Sequence, residues 1–170
     1  VVDPFYSSVL IVVFMLLLLY PALNTYRIRM ASTGLVLSTL YLGYALTNKY
    51  IAEHEAKDIL KNKNISYERV FTTPAPLNTW LWFVVAEVDS GYHIGYRSVF
   101  DMTDSMPLTY IPRNEHLLQG WHNDHALQQL KKFSQGYYAI AHYSDTLVFN
   151  DLRFGQITGW HNPNARFAFH

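Results

Sequence analysis

Residues 9–20 have the sequence VLIVVFMLLLLY and lie at the centre of a 23-residue run, 4–26, that carries no formal charge. At 1.5 Å per residue, a helix of this length crosses a hydrocarbon layer, which takes about 20 residues. A signal peptide needs a basic stretch before its apolar segment, whereas Asp3 precedes this run, and no small-residue cleavage site follows it. We therefore predict a transmembrane helix here. A membrane-apposed or buried helix is the alternative.

A second uncharged run covers residues 30–48 and contains the segment GLVLSTLYLGYAL. Its small residues Gly34, Ser38, Gly43 and Ala45 are of the kind that let membrane helices approach closely. Only the short link NTYRIR, residues 24–29, lies between the central parts of the two runs. Together they predict an N-terminal transmembrane helical hairpin over residues 1–50, with the lipid bilayer as its partner.

The basic residues give two conflicting indications of orientation. Arg27 and Arg29 in the link favour a cytoplasmic link, which sends the C-terminal part outward. The lysines that follow the second run favour the opposite orientation; they are Lys49, Lys57, Lys61 and Lys63. We expect a bacterial inner-membrane protein whose soluble part faces the periplasm, with the cytoplasmic side as the alternative.

Charge is distributed unevenly along the chain. The first 50 residues carry four charged side chains, and the remaining 120 carry ten Lys and Arg against twelve Asp and Glu. Nucleic-acid binding needs clustered cations that displace counterions from phosphates, so we predict no nucleic-acid partner. The sequence contains no cysteine, which excludes disulfides and thiolate ligands. Because it begins with Val and becomes apolar almost at once, we expect it to be a piece of a longer protein.

The rest of the chain has the pattern of a soluble domain. Residues 51–65 continue with helical spacing and form a predicted connector. From residue 66 to residue 170, short segments rich in β-branched and aromatic residues alternate with turns, and TWLWFVVAEV-DSG-YHIGYRSVF predicts a β-hairpin. DHALQQLKKF is the one helical pattern in this region, and Gly136 is its expected C-cap. The prediction is an α+β fold in which a small, mostly antiparallel β-sheet domain with one helix follows the hairpin.

Several segments together resemble a known family: TTPAPLNTWLW (72–82), GYRSVFD (95–101), YIPRN (110–114), LKKFSQGYY (130–138) and VFNDLRFG (148–155). They are similar to the C-terminal portion of bacterial inner-membrane proteins described as metal-dependent hydrolases and as LexA-binding. The resemblance extends over nearly the whole chain, including VVDPFYS at its start. It implies a membrane-bound hydrolase with a divalent metal.

The family's metal site is similar to a His-Arg-Gly-x-Thr-His-Ser motif combined with aspartates in an upstream transmembrane segment. This sequence has no such motif. The resemblance therefore implies that the metal site lies upstream of this chain, that upstream transmembrane segments are partners, and that this chain alone is inactive. Asp3, at the start of the first helix, is a catalytic candidate that would complete that site, because a carboxylate there is costly unless it is interfacial, paired or coordinating. An interfacial residue preceding a Pro at the first helical position is the alternative.

The string GWHN occurs twice, at 120–123 and 159–162, and raises the possibility of a zinc site formed by His122, His125 and His161. Asn123 or Asp124 is, however, a natural N-cap for the following helix, which places His122 outside that helix and removes the helical spacing. We predict no metal site in this chain.

The remaining candidates are polar residues of the soluble part. In FNDLRFG, strand alternation places Phe149, Asp151 and Arg153 on one face and the intervening residues Asn150, Leu152 and Phe154 on the other. An Asp151–Arg153 pair near Asn78 or Arg113 could bind an anionic head group, with Asn150 beside it, or could be a structural ion pair. Two functions follow: the C-terminal part of a membrane-bound metal-dependent hydrolase, or a non-catalytic membrane-tethered binding or scaffold module.

Overall fold

The computed structural model describes residues 4–20, 26–103, 105–121, 123–157, 159, 161–162 and 165–169. Within them the fold is α+β, with three α-helices and two antiparallel sheets. The helices are α1 (Pro4–Leu19), α2 (Arg27–Asn62) and α3 (His125–Phe133). The strands are β1 (Arg69–Pro74), β2 (Leu81–Val88), β3 (Gly91–Ser98), β4 (Leu108–Pro112), β5 (Tyr138–Tyr143), β6 (Thr146–Gln156) and β7 (Phe167–Phe169), and a short 3₁₀ helix covers Glu115–Leu118.

Helices α1 and α2 pack against each other in opposite directions. A Cβ atom added to Gly34 would lie 2.9 Å from Cγ2 of Val13, and the Phe5 and Tyr41 rings lie 6.4 Å apart. Gly34 and Ser38 are buried, as expected for small residues at a helix contact. Gly43 was predicted to serve the same purpose, but nothing lies within 4 Å of its Cβ position. The prediction for Gly43 was wrong because this residue lies on another side of the helix.

Helices α1 and α2 differ in length. Helix α2, with 36 residues, is the one described helix that is long and apolar enough to cross a membrane. Helix α1 is apolar throughout and has no buried residue, but its 16 described residues make it shorter. Many large apolar side chains on both helices are more than half exposed, including Phe14, Leu18, Leu35, Leu40 and Leu46.

The second half of α2 packs against the strands. Its residues Ala52, Ala56, Ile59 and Leu60 are buried, and Ala56 and Ile59 pack with Val84 of β2 and with Met106. The helix therefore continues without a break from the apolar hairpin to the domain, and ends at Asn62.

The strands are antiparallel, as predicted, and form two sheets, a number that the sequence did not indicate. One sheet has the order β1-β2-β3-β4 and the other β5-β6-β7, with every pair antiparallel. The predicted hairpin of β2 and β3 is present, and Asp89 and Ser90 form its turn. Alternation along a strand shows which side chains share a face but does not show how many sheets the strands form.

The sheets pack face to face, and a helix covers each outer face. Phe83, Tyr92 and Leu152 lie in the core between the sheets, together with Val85, Ile94, Tyr137, Ala139 and Phe167. Outside the second sheet, Leu127 of α3 and Leu118 of the 3₁₀ helix pack on β5 and β6. The layers are therefore α2, first sheet, second sheet and α3.

Helix α3 begins where the sequence indicates and ends earlier than predicted. The Asp124 carboxylate caps it by accepting a hydrogen bond from the Leu127 backbone N–H at 2.8 Å. The C-cap is Ser134, not Gly136, which lies two residues further along with φ of +84°. Gly136 instead provides the left-handed backbone of the turn into β5.

Candidate functional site

The five predicted binding residues do not form one site. Asn78 lies in the turn before β2, where its Oδ1 accepts hydrogen bonds from the backbone N–H groups of Trp80 (3.0 Å) and Leu81 (2.8 Å). Its Nδ2 donates to the Pro76 carbonyl at 3.3 Å. These contacts hold the turn between β1 and β2, and they leave Asn78 apart from the Asp151–Arg153 pair.

Arg113 belongs to a partly buried ionic network next to the turn of the β2–β3 hairpin. Its Nη2 donates to Oε1 of Glu87, and Arg69 Nε donates to Oε2 of the same carboxylate at 2.6 Å. Glu87 is buried, with a side chain only 5% exposed, so two guanidinium groups compensate for the cost of its burial. Hydrogen bonding to Glu87 is the largest contribution that raises the pKa of Arg69.

Tyr92 connects this network to the second sheet. Its hydroxyl accepts a hydrogen bond from Arg113 Nε at 3.0 Å and donates one to the Gly136 carbonyl at 2.6 Å. Burial raises the pKa of Tyr92 to about 12, since the phenolate would lose hydration in the core. Glu87 and Tyr92 were not predicted from the sequence, although a single acidic residue within the apolar strand LWFVVAEV indicates a buried partner.

Asp151 and Arg153 form a separate, partly buried ion pair. Arg153 donates from Nη2 to Oδ2 at 2.7 Å and from Nε to Oδ1 at 3.1 Å, and its side chain is 14% exposed. The guanidinium lies 4.9 Å from the centre of the Phe133 ring of α3 and 5.4 Å from that of Phe154. The Asp151–Arg153 pair that strand alternation predicted is therefore present as an ion pair within the domain.

Phe154 does not lie on the face predicted from strand alternation. Its ring is within 6.4 Å of Phe133 and close to Arg153, so the two successive residues lie on the same side. The pairing of β6 with β7 shifts register between Asp151 and Gln156, and Gly155 has φ of +71°. This irregularity interrupts the two-residue period.

A cleft of about 630 Å³ lies between β4 and the second sheet. Beside it the two sheets are joined by hydrogen bonds from the Ile140 N–H to the Arg113 carbonyl (3.0 Å) and from Asn114 Nδ2 to the Ile140 carbonyl (2.9 Å). Apolar residues form most of its walls: Ile111, Pro112, Ala139, Ile140, Ala141, Val148, Ala165 and Phe167.

The polar groups of the cleft are mainly amides. Asn150 lines it and donates from Nδ2 to the Ala139 carbonyl at 3.4 Å, and Gln156 donates from Nε2 to the Ala165 carbonyl at 2.8 Å. Arg166 is exposed at its edge, and none of the described residues that line the cleft is acidic. Apolar walls with amides and one guanidinium suit an amphipathic ligand with a carbonyl or anionic group.

Neither GWHN string provides a metal site in the described part of the chain. His125 is the first residue of α3 and is exposed, His161 is also exposed, and His122 lies outside the described residues. No group of three or more His, Asp or Glu side chains that could hold a metal is present among residues 4–20, 26–103, 105–121, 123–157 and the short segments after them. The described residues therefore do not fit the metal that the resemblance implies.

Asp3, the catalytic candidate, also lies outside the described residues. Comparison of the chain with protein-family models, with curated proteins and with solved structures finds no match in any of the three.

Proposed function

We propose that this chain is the C-terminal, membrane-bound part of a metal-dependent hydrolase of the bacterial inner membrane. In this proposal the two-sheet domain is a non-catalytic module held at the membrane surface, and the metal ligands are supplied by upstream transmembrane segments. The hydrolase assignment rests on the segments from 72–82 to 148–155 that resemble the family. The membrane attachment rests on the geometry of α2.

The length of α2 and the change in burial along it are the main support for the proposed membrane attachment. Its 36 residues correspond to about 54 Å at 1.5 Å per residue, well beyond a hydrocarbon layer of about 30 Å. Leu35 and Leu40 in its first half are more than 60% exposed, whereas Ala52, Ala56 and Leu60 in its second half are completely buried. One helix therefore has an apolar surface suited to lipid and, further along, a surface buried in the domain.

The junction between these halves is fixed by polar contacts. Asn48, 4% exposed, donates from Nδ2 to the Thr79 carbonyl at 3.2 Å, and Trp80 donates from Nε1 to the Tyr44 hydroxyl at 3.0 Å. Since both contacts connect α2 to the β1–β2 turn, the domain has a defined position relative to the helical hairpin. A rigid connection of this kind suits a module that positions or supports a site within the membrane.

Carbonate extraction of bacterial membranes tests the attachment. We expect the complete 170-residue chain to stay in the pellet at alkaline pH, because apolar helices are held by lipid and not by charge. A peripheral membrane protein, which carbonate releases, is the control. Recovery of the intact chain in the soluble fraction would contradict the proposal.

Metal analysis tests the hydrolase part. We expect the purified chain to hold no stoichiometric zinc and to hydrolyse neither generic esters nor phosphodiesters, whereas the protein containing the upstream region should bind metal. Stoichiometric zinc in this chain alone, lost on changing His122 and His125 to Ala, would place a metal site here and contradict the upstream location. A metal-free protein that includes the upstream region would contradict the hydrolase assignment.

Labelling from one side of the membrane tests the orientation, for which we propose the periplasmic side. The chain lacks cysteine, so a cysteine introduced at Lys61 is a unique target. Lys61 is exposed near the end of α2. We expect a membrane-impermeant maleimide to react with it in intact spheroplasts, and reaction only after lysis would indicate the cytoplasmic side.

A binding module without a catalytic partner is the second candidate, and the 630 Å³ cleft favours it. The test is a thermal-shift screen with small amphipathic carboxylates, which match the apolar walls and Arg166. Ala141→Trp would fill the cleft and should abolish any shift that a ligand produces. A shift that survives this substitution would show that the ligand binds elsewhere.

A further inference from the structure

We infer that two loops of the soluble domain, residues 75–80 and 98–103, insert their apolar side chains into the adjacent lipid leaflet. These loops, with Leu77, Phe100 and Met102 at their tips, are called the membrane edge below. The inference rests on the proposed membrane attachment and adds a second lipid contact to that of the helices. The partner of the membrane edge is the interfacial region of the bilayer.

The side chains of the membrane edge are unusually exposed for apolar residues. Leu77 is 61% exposed, Phe100 68% and Met102 fully exposed. Leu77 also has φ of +65°, a left-handed backbone that is unfavourable for a branched side chain. A cluster of exposed apolar residues on a soluble domain marks an interaction surface, since isolated ones are common but neighbouring ones are not.

Trp80 makes this edge continuous with the helical hairpin. Its ring lies 5.4 Å from that of Phe5 in α1 and 6.5 Å from that of Phe100, and its Nε1 donates to the Tyr44 hydroxyl of α2. The aromatic rings thus extend from both helices to the 98–103 loop. Trp and Tyr concentrate at the boundary between hydrocarbon and head groups, where the ring is in an apolar layer and the polar atom is hydrogen-bonded.

The charged residue of the 98–103 loop is Asp101, whose side chain is 43% exposed and is held by the loop backbone and by the adjacent Arg97. The Asp101 carboxylate accepts a hydrogen bond from the Ser98 N–H at 2.9 Å and lies 3.9 Å from Arg97 Nη1. Arg97 is buried and donates from Nη1 to the Thr103 carbonyl at 2.6 Å and from Nε to Glu55 at 2.7 Å. Because Arg97 connects this loop to α2, the loop is fixed while Phe100 and Met102 remain exposed.

The lengths of the helices place the membrane edge near the end of the hydrocarbon layer. The 16 residues of α1 correspond to about 24 Å, and the 15 steps from Arg29 to Tyr44 in α2 to about 22 Å. Both are shorter than a hydrocarbon layer of about 30 Å. If the long Arg29 side chain reaches the far boundary from a backbone position inside the layer, Tyr44 and its partner Trp80 lie close to the near boundary. The apolar loops beside them then cover the remaining thickness.

Single-cysteine labelling tests the inference on the complete chain in phosphatidylethanolamine–phosphatidylglycerol vesicles. The variants Phe100→Cys and Met102→Cys each carry a polarity-sensitive fluorophore. Leu40→Cys on α2, 65% exposed, is the lipid control, and Ile157→Cys, 60% exposed and directly after β6, is the water control. Quenching is measured with nitroxide-labelled lipids and with aqueous iodide.

We expect the labels at positions 100 and 102 to be quenched by nitroxide lipids, and their quenching by iodide to be several-fold weaker than at position 157. Lipid contact at position 40 together with iodide quenching at positions 100 and 102 equal to that at position 157 would overturn this inference alone. Shielding from iodide without nitroxide quenching would show that protein covers the edge and would also overturn it. Water exposure at position 40 would overturn the membrane attachment itself.

Discussion

Replacing Arg153 with Ala would leave the Asp151 carboxylate buried without its counterion. The Asp151 side chain is 6% exposed and accepts three hydrogen bonds from Arg153: two from the guanidinium, at 2.7 and 3.1 Å, and one from the backbone N–H at 3.0 Å. The substitution removes both guanidinium bonds and retains only the backbone bond. It also removes the cation that lies beside the Phe133 and Phe154 rings.

Removing one partner of a buried ion pair lowers the free energy of unfolding by about 3–5 kcal/mol. The low end applies here, because Arg153 retains some solvent exposure and the backbone N–H still binds Asp151. We therefore expect Arg153→Ala to lower the free energy of unfolding by about 3 kcal/mol. For a domain of about 100 residues, this corresponds to a fall in Tm of about 12 °C.

The assay is urea and thermal unfolding of the full chain in detergent, followed by tryptophan fluorescence. Arg166→Ala is the matched control, because Arg166 is exposed and forms no ion pair within the described part of the chain; its effect should stay within about 0.5 kcal/mol. A double-mutant cycle with Asp151→Asn should give a coupling energy of about 2 kcal/mol. A loss below about 1 kcal/mol for Arg153→Ala, the range of exposed pairs, would refute the assignment of this pair as structural.

Three further predictions concern other parts of the chain. The folded-state pKa of Tyr92 is about 12 against an ordinary value of 10, so the unfolded chain loses this proton first. The free energy of unfolding should therefore fall as the pH rises from about 10 to 12, and Tyr92→Phe should reduce that fall by about 2 kcal/mol in unfolding titrations. An unchanged pH dependence in Tyr92→Phe would exclude Tyr92 as its cause. Gly34→Leu should separate α1 from α2, because its Cβ would lie 2.9 Å from Val13, whereas Gly43→Leu should have no effect. Cross-linking between cysteines placed at Phe5 and Tyr41 measures the separation. Equal cross-linking yields in both variants would argue against the packing of α1 on α2. Asp124→Ala should lower the free energy of unfolding by about 1 kcal/mol through loss of the N-cap bond to Leu127, and an unchanged urea midpoint would argue against that cap.

The secondary structure could be predicted well from the sequence because its signals are local. The turn of the β2–β3 hairpin and the Asp124 cap both depend on residues that are close together in the sequence. The division into two sheets depends on contacts between distant strands, such as Leu152 with Phe83 and Tyr92, and no local pattern indicates it.

The candidate site could be predicted only in part. The Asp151–Arg153 pair could be predicted from strand alternation, because residues that are two positions apart on one strand share a face. Arg113 and Asn78 were grouped with this pair from residue type alone, but the fold places Arg113 beside Glu87 and Asn78 in a turn. The cleft between the sheets was not predicted, since its walls come from strands that are far apart in the sequence.

The most direct test of the account is the accessibility of single cysteines along α2 in intact bacterial membranes. Leu35 and Leu40 lie on the half proposed to be in lipid, and Lys61 lies on the half that belongs to the domain; all three are exposed on the protein surface. We predict that a polyethylene-glycol maleimide reacts with Lys61→Cys once it has access to the domain's side of the membrane. Leu35→Cys and Leu40→Cys should react only after the membranes are dissolved in denaturing detergent. Reaction of Leu35→Cys and Leu40→Cys in intact membranes as fast as that of Lys61→Cys would contradict the account.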